Sequence, residues 1–164
     1  MRDKTDILVE TIEEVRNLTL FYLSKLDGTD YFREFEVNGQ ALNSAAWTIA
    51  HLTWAEDFLV YRAITGKGTG VKWLDHFRIG SERPQRAEYP SLNEIINGFG
   101  EVHLKSMDVL MGMIDEDLEK TNSINLKFQK GDNIKVCLMH HIRHESSHGG
   151  HLSWLCKING VKTV

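Results

Sequence analysis

Apolar side chains recur at intervals of three and four residues in four stretches of the chain, which polar or glycine-containing segments separate. The stretches are residues 5–26, 44–65, 91–114 and 133–155. This spacing places the apolar side chains on one face of an α-helix. The pattern therefore predicts four amphipathic helices. Because each must cover its apolar face, it also predicts an all-α four-helix bundle.

Local signals support the predicted helix boundaries. The sequence SLNE at 91–94 is a capping box, and Asn133 can cap the last helix. Between the first two helices, residues 27–43 include an Asn-Gly turn signal at 38–39. We expect this segment only to join the two helices.

The connection at residues 66–90 is long and rich in glycine. A crossover of this length lets the second and third helices run parallel, which predicts an up-down-down-up order. Its aromatic side chains have two open interpretations. Trp73, His76 and Phe77 either fold over a pocket or form a small packed cluster within the crossover.

Size and charge narrow the class of protein. The chain has 164 residues, which suits a single domain at 1–164, and its formal net charge is −4. Nucleic-acid binding usually needs a basic face, so no such partner is expected. We expect no signal peptide, and no apolar run approaches the roughly 20 residues of a membrane span. Cys137 and Cys156 are about 28 Å apart on one predicted helix and cannot pair. We therefore expect a cytoplasmic protein without a membrane partner.

Histidines are concentrated on the last predicted helix. Five of the eight in the chain lie there, at His140, His141, His144, His148 and His151. His144 and His148 are one turn apart, so both imidazoles can reach one metal ion. His140 is about 12 Å from His148 along the axis and farther from the apolar face, so the pair 144/148 is preferred. A pair of His141 and Glu145, with the same spacing, stays in reserve.

A third ligand has to come from another helix. On the second predicted helix, His51 lies in an apolar stripe with Trp47 and Trp54. A lone histidine in such a stripe is usually a hydrogen-bonded core residue. The need for a third ligand favours His51 as that ligand. Whether His140 or His151 also joins the site stays open.

Residues 144–148 also read His-Glu-x-x-His, the zinc-protease pattern, in which Glu145 would be the general base. Such proteases usually take a third ligand further along the chain, but only 16 residues follow His148. A protease is therefore disfavoured. Glu145 is kept as the candidate catalytic residue, either as a base or by orienting a ligand.

Two segments together resemble a known family over nearly the whole chain. Residues 46–52, AWTIAHL, form an Ala-x-x-x-His-Leu type of segment, and residues 144–151, HESSHGGH, contain His-x-x-x-His followed by a glycine-containing step. These features resemble the DinB-like superfamily, also called the DinB/YfiT family. The family often has His-Arg-Gly-Gln at the second ligand. Here Gly150 matches that pattern, while Gly149 and His151 depart from it.

The resemblance implies a divalent metal ion held by three histidines, carried onto His51, His144 and His148. Members with known activity include thiol-dependent S-transferases and isomerases that use low-molecular-weight thiols. Three neutral imidazoles leave one metal position open. We therefore expect an S-transferase or a hydrolase acting on a small molecule, such as a low-molecular-weight thiol. The alternative is a non-catalytic metal- or small-molecule-binding bundle.

Metal identity and assembly are further expectations. Imidazole is a common ligand of transition metals, so zinc or nickel is expected first, with iron or manganese as alternatives. The family resemblance predicts a homodimer, and symmetric dimers are also the commonest oligomers.

Overall fold

The computed structural model describes residues 1–163 and consists mainly of four long helices. We number them α1 to α4 in chain order. They are α1 at Asp3–Lys25, α2 beginning at Ala45–Glu56, α3 at Leu92–Met111 and α4 at Ile134–Ile158. Each lies within one predicted stretch or extends a few residues beyond it. The all-α bundle predicted from the apolar periodicity is confirmed.

The second helix changes its winding midway. After its first segment it continues as a π-helix at Asp57–Arg62 and ends with a short α-helical segment at Ala63–Thr65. Asp57 is fully buried, and its carboxylate accepts a hydrogen bond from the backbone N–H of Thr69 at 2.7 Å and another from the side chain of Arg62. These bonds fix the start of the crossover to the end of α2. Apolar periodicity does not predict this π-helix.

The directions of the helices follow from which ends share a core. One apolar cluster joins the start of α1, the ends of α2 and α3 and the start of α4. It includes Ile12, Val60, Leu110 and Leu138. A second cluster joins the opposite ends and includes Leu23, Ile49, Ile95 and Leu152. Therefore α1 and α4 run one way and α2 and α3 the other, which confirms the up-down-down-up order.

The connection between α1 and α2 contains a short β-hairpin. Strands β1 (Glu36–Val37) and β2 (Gln40–Ala41) pair antiparallel across a turn. Asn38 and Gly39 form the turn with φ values of 51° and 74°. Asn-Gly is favoured in such turns because both residues tolerate positive φ. The turn signal is confirmed, and the hairpin is an addition to what we expected of this segment.

The crossover between α2 and α3 packs against the bundle. It contains two short 3₁₀ turns, at Leu74–Phe77 and Arg86–Glu88. Leu74 packs with Trp54 of α2, and Phe77 is completely buried in the core. Of the two interpretations of this segment, the packed crossover is the one observed.

The two glycines within α4 have no close neighbour. Glycine in a helix interior predicts either a close approach of another backbone or a local kink. However, α4 runs unbroken through Gly149 and Gly150, and a Cβ at either position would meet nothing within 4 Å. The close approach is therefore not the explanation. Cys137 and Cys156, also on α4, are buried and unpaired, as their separation requires.

A close approach to glycine occurs on α3 instead. A Cβ at Gly98 would lie 2.6 Å from Cζ2 of Trp73 in the crossover. We expect Gly98→Ala to lower the free energy of unfolding by about 1–3 kcal/mol, because the packed indole must shift. At Gly100 a Cβ meets nothing within 4 Å, so Gly100→Ala is the control and should gain up to about 1 kcal/mol. Urea unfolding compares the two, and equal stabilities would contradict this packing of Trp73.

Candidate metal centre

His51 is held by α2 between two tryptophan rings. Ser44 caps this helix by accepting a hydrogen bond from the backbone N–H of Trp47 at 3.2 Å. The imidazole of His51 stacks on Trp47, with ring centroids 4.7 Å apart, and on Trp54, with centroids 5.6 Å apart. His51 is only 4% exposed. The apolar stripe predicted around His51 therefore forms and restricts the orientation of its ring.

Two more imidazoles meet His51 from α4. The ring centroids of His144 and His148 are 4.7 Å apart, and they lie 5.0 Å and 5.1 Å from that of His51. One ring nitrogen from each histidine lies within 4.8 Å of the other two. The structure thus brings the three predicted ligands together. Their separations allow all three to hold one metal ion.

The crossover sets the tautomer of His51. Its Nδ1 lies 2.7 Å from the backbone carbonyl oxygen of Phe77. A carbonyl can only accept, so Nδ1 carries the proton and Nε2 keeps its lone pair. That Nε2 lies 3.2 Å from Nε2 of His144. Metal-binding histidines typically donate their other ring N–H in this way. The residues present therefore fit a metal ion.

Burial keeps these imidazoles neutral. Burial lowers the pKa of His51, although the hydrogen bond to Phe77 acts in the opposite direction. Burial, with a smaller effect of neighbouring imidazoles, lowers the pKa of His144 to about 4 and that of His148 to about 3. All three rings are consequently neutral near pH 7. Neutral imidazole is the form that binds a metal.

The two histidines whose participation was open flank this group without joining it. Nδ1 of His140 accepts a hydrogen bond from Arg143 at 2.6 Å, and its ring stacks on Phe128 with centroids 4.6 Å apart. His151 is exposed, and its Nδ1 lies 3.2 Å from Nδ1 of His148. Within residues 1–163, the group of potential ligands contains three histidines and no fourth member.

Glu145 does not lie with the three imidazoles. It is 1% exposed, and its two carboxylate oxygens accept hydrogen bonds from Arg16 of α1 at 2.9 Å and 3.0 Å. His141, its reserve partner for metal binding, is also buried, with Nε2 3.6 Å from the Glu145 carboxylate. Both oxygens of Glu145 are therefore engaged in tying α4 to α1, and its predicted role as a catalytic residue stays a prediction.

Arg16 extends this ion pair to α2. It is 2% exposed, and one guanidinium nitrogen lies 2.6 Å from Oε2 of Glu56. The other oxygen of Glu56 accepts a hydrogen bond from Nδ1 of His103 at 2.8 Å. The buried ion cluster comprises Arg16, Glu56, His103, His141 and Glu145. Sequence reasoning missed it, although Arg16 follows Ile12 by one turn on the buried face of α1, which is an unusual place for an arginine.

A four-helix bundle that gathers three neutral imidazoles from two helices defines a candidate metal-binding helical protein. The chain belongs to the DinB superfamily, whose family model matches residues 11–152. The match extends from α1 into α4 and includes His51, His144 and His148, which confirms the family resemblance. No curated protein matches the chain. Among residues 1–163, none of the helices has the length and apolar character needed to span a membrane.

Proposed function

We propose that this protein is a metal-dependent enzyme that acts on a small-molecule substrate. His51, His144 and His148 would hold one divalent ion. The observation that carries the proposal is the group of three neutral imidazoles with no fourth protein ligand among residues 1–163. Structural zinc sites are normally closed by four protein ligands, whereas catalytic sites keep a position open for water or substrate.

Zinc or nickel is the proposed ion, with iron or manganese as alternatives. All three donors are imidazole nitrogens. Divalent ions late in the first transition row bind such donors more tightly than manganese or iron does. Elemental analysis of the purified protein identifies the ion that it retains.

Transfer of a group to a low-molecular-weight thiol is the favoured reaction, ahead of hydrolysis. A divalent ion in such a site lowers the pKa of a thiol or water molecule at its open position. A free thiol starts from a pKa of about 8.5 and water from about 15.7, so the thiol needs the smaller shift to ionise near pH 7. In addition, both carboxylate oxygens of Glu145 accept hydrogen bonds from Arg16, which disfavours Glu145 as the base that hydrolysis would use.

The protein's own residues contribute orientation and exclusion of water. The carbonyl of Phe77 holds the proton of His51 on Nδ1, so that Nε2 faces His144. Trp47 and Trp54 cover the two faces of the His51 ring. These contacts fix the first imidazole before any ligand binds, which lowers the entropic cost of assembling the site.

The test measures thiol-dependent turnover of an aryl chloride by loaded protein, stripped protein and His148→Ala. In this reaction the thiol sulfur forms a bond to carbon, chloride leaves and the thiol proton passes to solvent. We expect turnover only in the loaded protein, with glutathione-like or bacillithiol-like thiols. The stripped protein should remain folded, because the core is large enough without the metal. Metal uptake without turnover, or unfolding of the stripped protein, would favour the non-catalytic bundle.

A homodimer is the proposed assembly. Supporting it, α1 carries exposed apolar side chains on one face, including Ile7 (63% exposed), Leu18 (46%) and Phe21 (39%). Symmetric dimers bury such self-complementary faces. Light scattering should give about twice the single-chain mass of 18.8 kDa, and Leu18→Glu should reduce it to one chain. A mass of one chain for the unmodified protein at micromolar concentration would contradict the dimer.

A further inference from the structure

A cavity lies beside the candidate metal centre, between the β-hairpin and the C-terminal part of α4. Its volume is about 610 Å³, within the range of small-molecule sites. Its lining includes Val37 and Leu42 from the hairpin segment and His151, Trp154, Leu155 and Ile158 from α4. Apart from His151 and Asn43, the side chains that line the cavity are apolar.

Several of these apolar side chains remain open to solvent. Trp154 is 66% exposed, Val37 49% and Ile158 39%. Single exposed apolar residues are ordinary, but several that line one concave site are typical of a surface that binds something. Trp154 and Ile158 are one turn apart on α4, so they present one continuous apolar wall to the cavity.

The cavity adjoins the candidate metal centre at His151. This residue lines the cavity, and its ring centroid lies 4.9 Å from that of His148. From His148 to Trp154 the rise along the helix is about 9 Å. A molecule with a metal-binding head and an extended apolar tail of that length can therefore reach both places.

We propose that this cavity is a subsite for the apolar part of the substrate. The substrate is accordingly an amphiphilic small molecule, with an alkyl tail against Trp154 and Ile158 and its reacting end at the three imidazoles. His151, between the two regions, contacts the junction of head and tail. The inference rests on the proposed function and adds the class of substrate to it.

The test uses hydroxamates, whose head group binds metal ions, on the Zn²⁺-loaded protein. Calorimetry compares acetohydroxamate with octanohydroxamate. Each methylene buried in an apolar site strengthens binding about fourfold, so the longer ligand should bind more than about 100-fold tighter. Trp154→Ala and Ile158→Ala should lose most of this gain while keeping metal content and acetohydroxamate affinity. Leu104→Ala, at an apolar position that is 72% exposed on α3, is the matched control and should keep the gain.

The outcomes separate the two proposals. Failure of the protein to take up metal would overturn both. Metal uptake and acetohydroxamate binding without a gain from the longer tail, or with the same gain in Trp154→Ala, would overturn the subsite alone. If the protein is a homodimer and Trp154→Ala makes it dissociate into single chains, the subsite proposal would also be overturned, because a second copy of the protein would then cover the cavity.

Discussion

Replacing Arg16 by methionine is expected to lower the free energy of unfolding by about 3–5 kcal/mol. Methionine keeps much of the side-chain length but removes the charge that Glu56 and Glu145 share. Both carboxylates are at most 1% exposed, so each would be left as a buried charge without its partner. Removing one partner from a buried ion pair is costly for this reason, whatever the pair contributes when intact.

Urea unfolding near pH 7 measures the effect. Arg78→Met is the matched control, because Arg78 is exposed and surface substitutions usually change stability by less than about 0.5 kcal/mol. Adding Glu56→Gln and Glu145→Gln to Arg16→Met should recover part of the loss by removing the uncompensated charges. A loss below about 1 kcal/mol for Arg16→Met alone would show that water or neighbouring groups compensate both carboxylates.

The loss of unfolding free energy in Arg16→Met depends on pH, and the pKa of Glu56 sets the direction of that dependence. Burial alone would raise the pKa of Glu56, but the charge of Arg16 and the hydrogen bond from His103 lower it to about 2. A carboxylate whose folded pKa lies below its unfolded value stabilises the fold above the unfolded value, near 4.5, and loses that contribution as pH falls through the folded value. Without the charge of Arg16, the pKa of Glu56 in Arg16→Met is higher than in the unmodified protein, so this carboxylate loses less stability as pH falls from about 4.5. The difference between the two proteins should therefore shrink below about pH 4.5.

The helices and two of the three proposed metal ligands could be predicted because their signals are local. Apolar periodicity within each stretch determined the four helices, and the one-turn spacing of His144 and His148 follows from helical geometry alone. His51 is different, since it was chosen by the need for a third ligand and by the family resemblance. The structure places it with the other two.

The buried ion cluster and the orientation of His51 could not be predicted, because they depend on contacts between distant parts of the chain. Arg16 is paired with Glu56, 40 positions along the chain, and with Glu145, 129 positions along the chain. The spacing of residues within one helix does not indicate which faces of different helices pack together. The contact that orients His51 is made by the backbone carbonyl of Phe77, which every residue type possesses, so side-chain identity carries no signal for it. The pairing of Glu145 has the same origin, because its neighbours along the chain indicated a metal site, whereas its partner in space is Arg16.

Replacing either His51 or His148 by alanine is expected to weaken metal binding more than about 100-fold. Loss of a group that merely orients a ligand typically costs 10- to 100-fold in affinity, so loss of one of three ligands should cost more. His51→Ala also vacates a packed position between two tryptophans, so a destabilised fold would be a second cause of weak binding.

The variant His148→Ala distinguishes the loss of a ligand from a destabilised fold. His148 is less buried than His51, so this variant should leave the fold nearly intact. The measurement is metal content after dialysis, with competition against a chelator to give affinities and circular dichroism to verify folding.

His76→Ala is the matched control, since His76 is exposed in the crossover and this variant should retain full metal content. His151→Ala should also retain it, because His151 lies outside the three-histidine group. Retention of one equivalent by folded His148→Ala would refute the three-histidine site, and loss of metal from His151→Ala would show that His151 is a fourth ligand and that the site is closed.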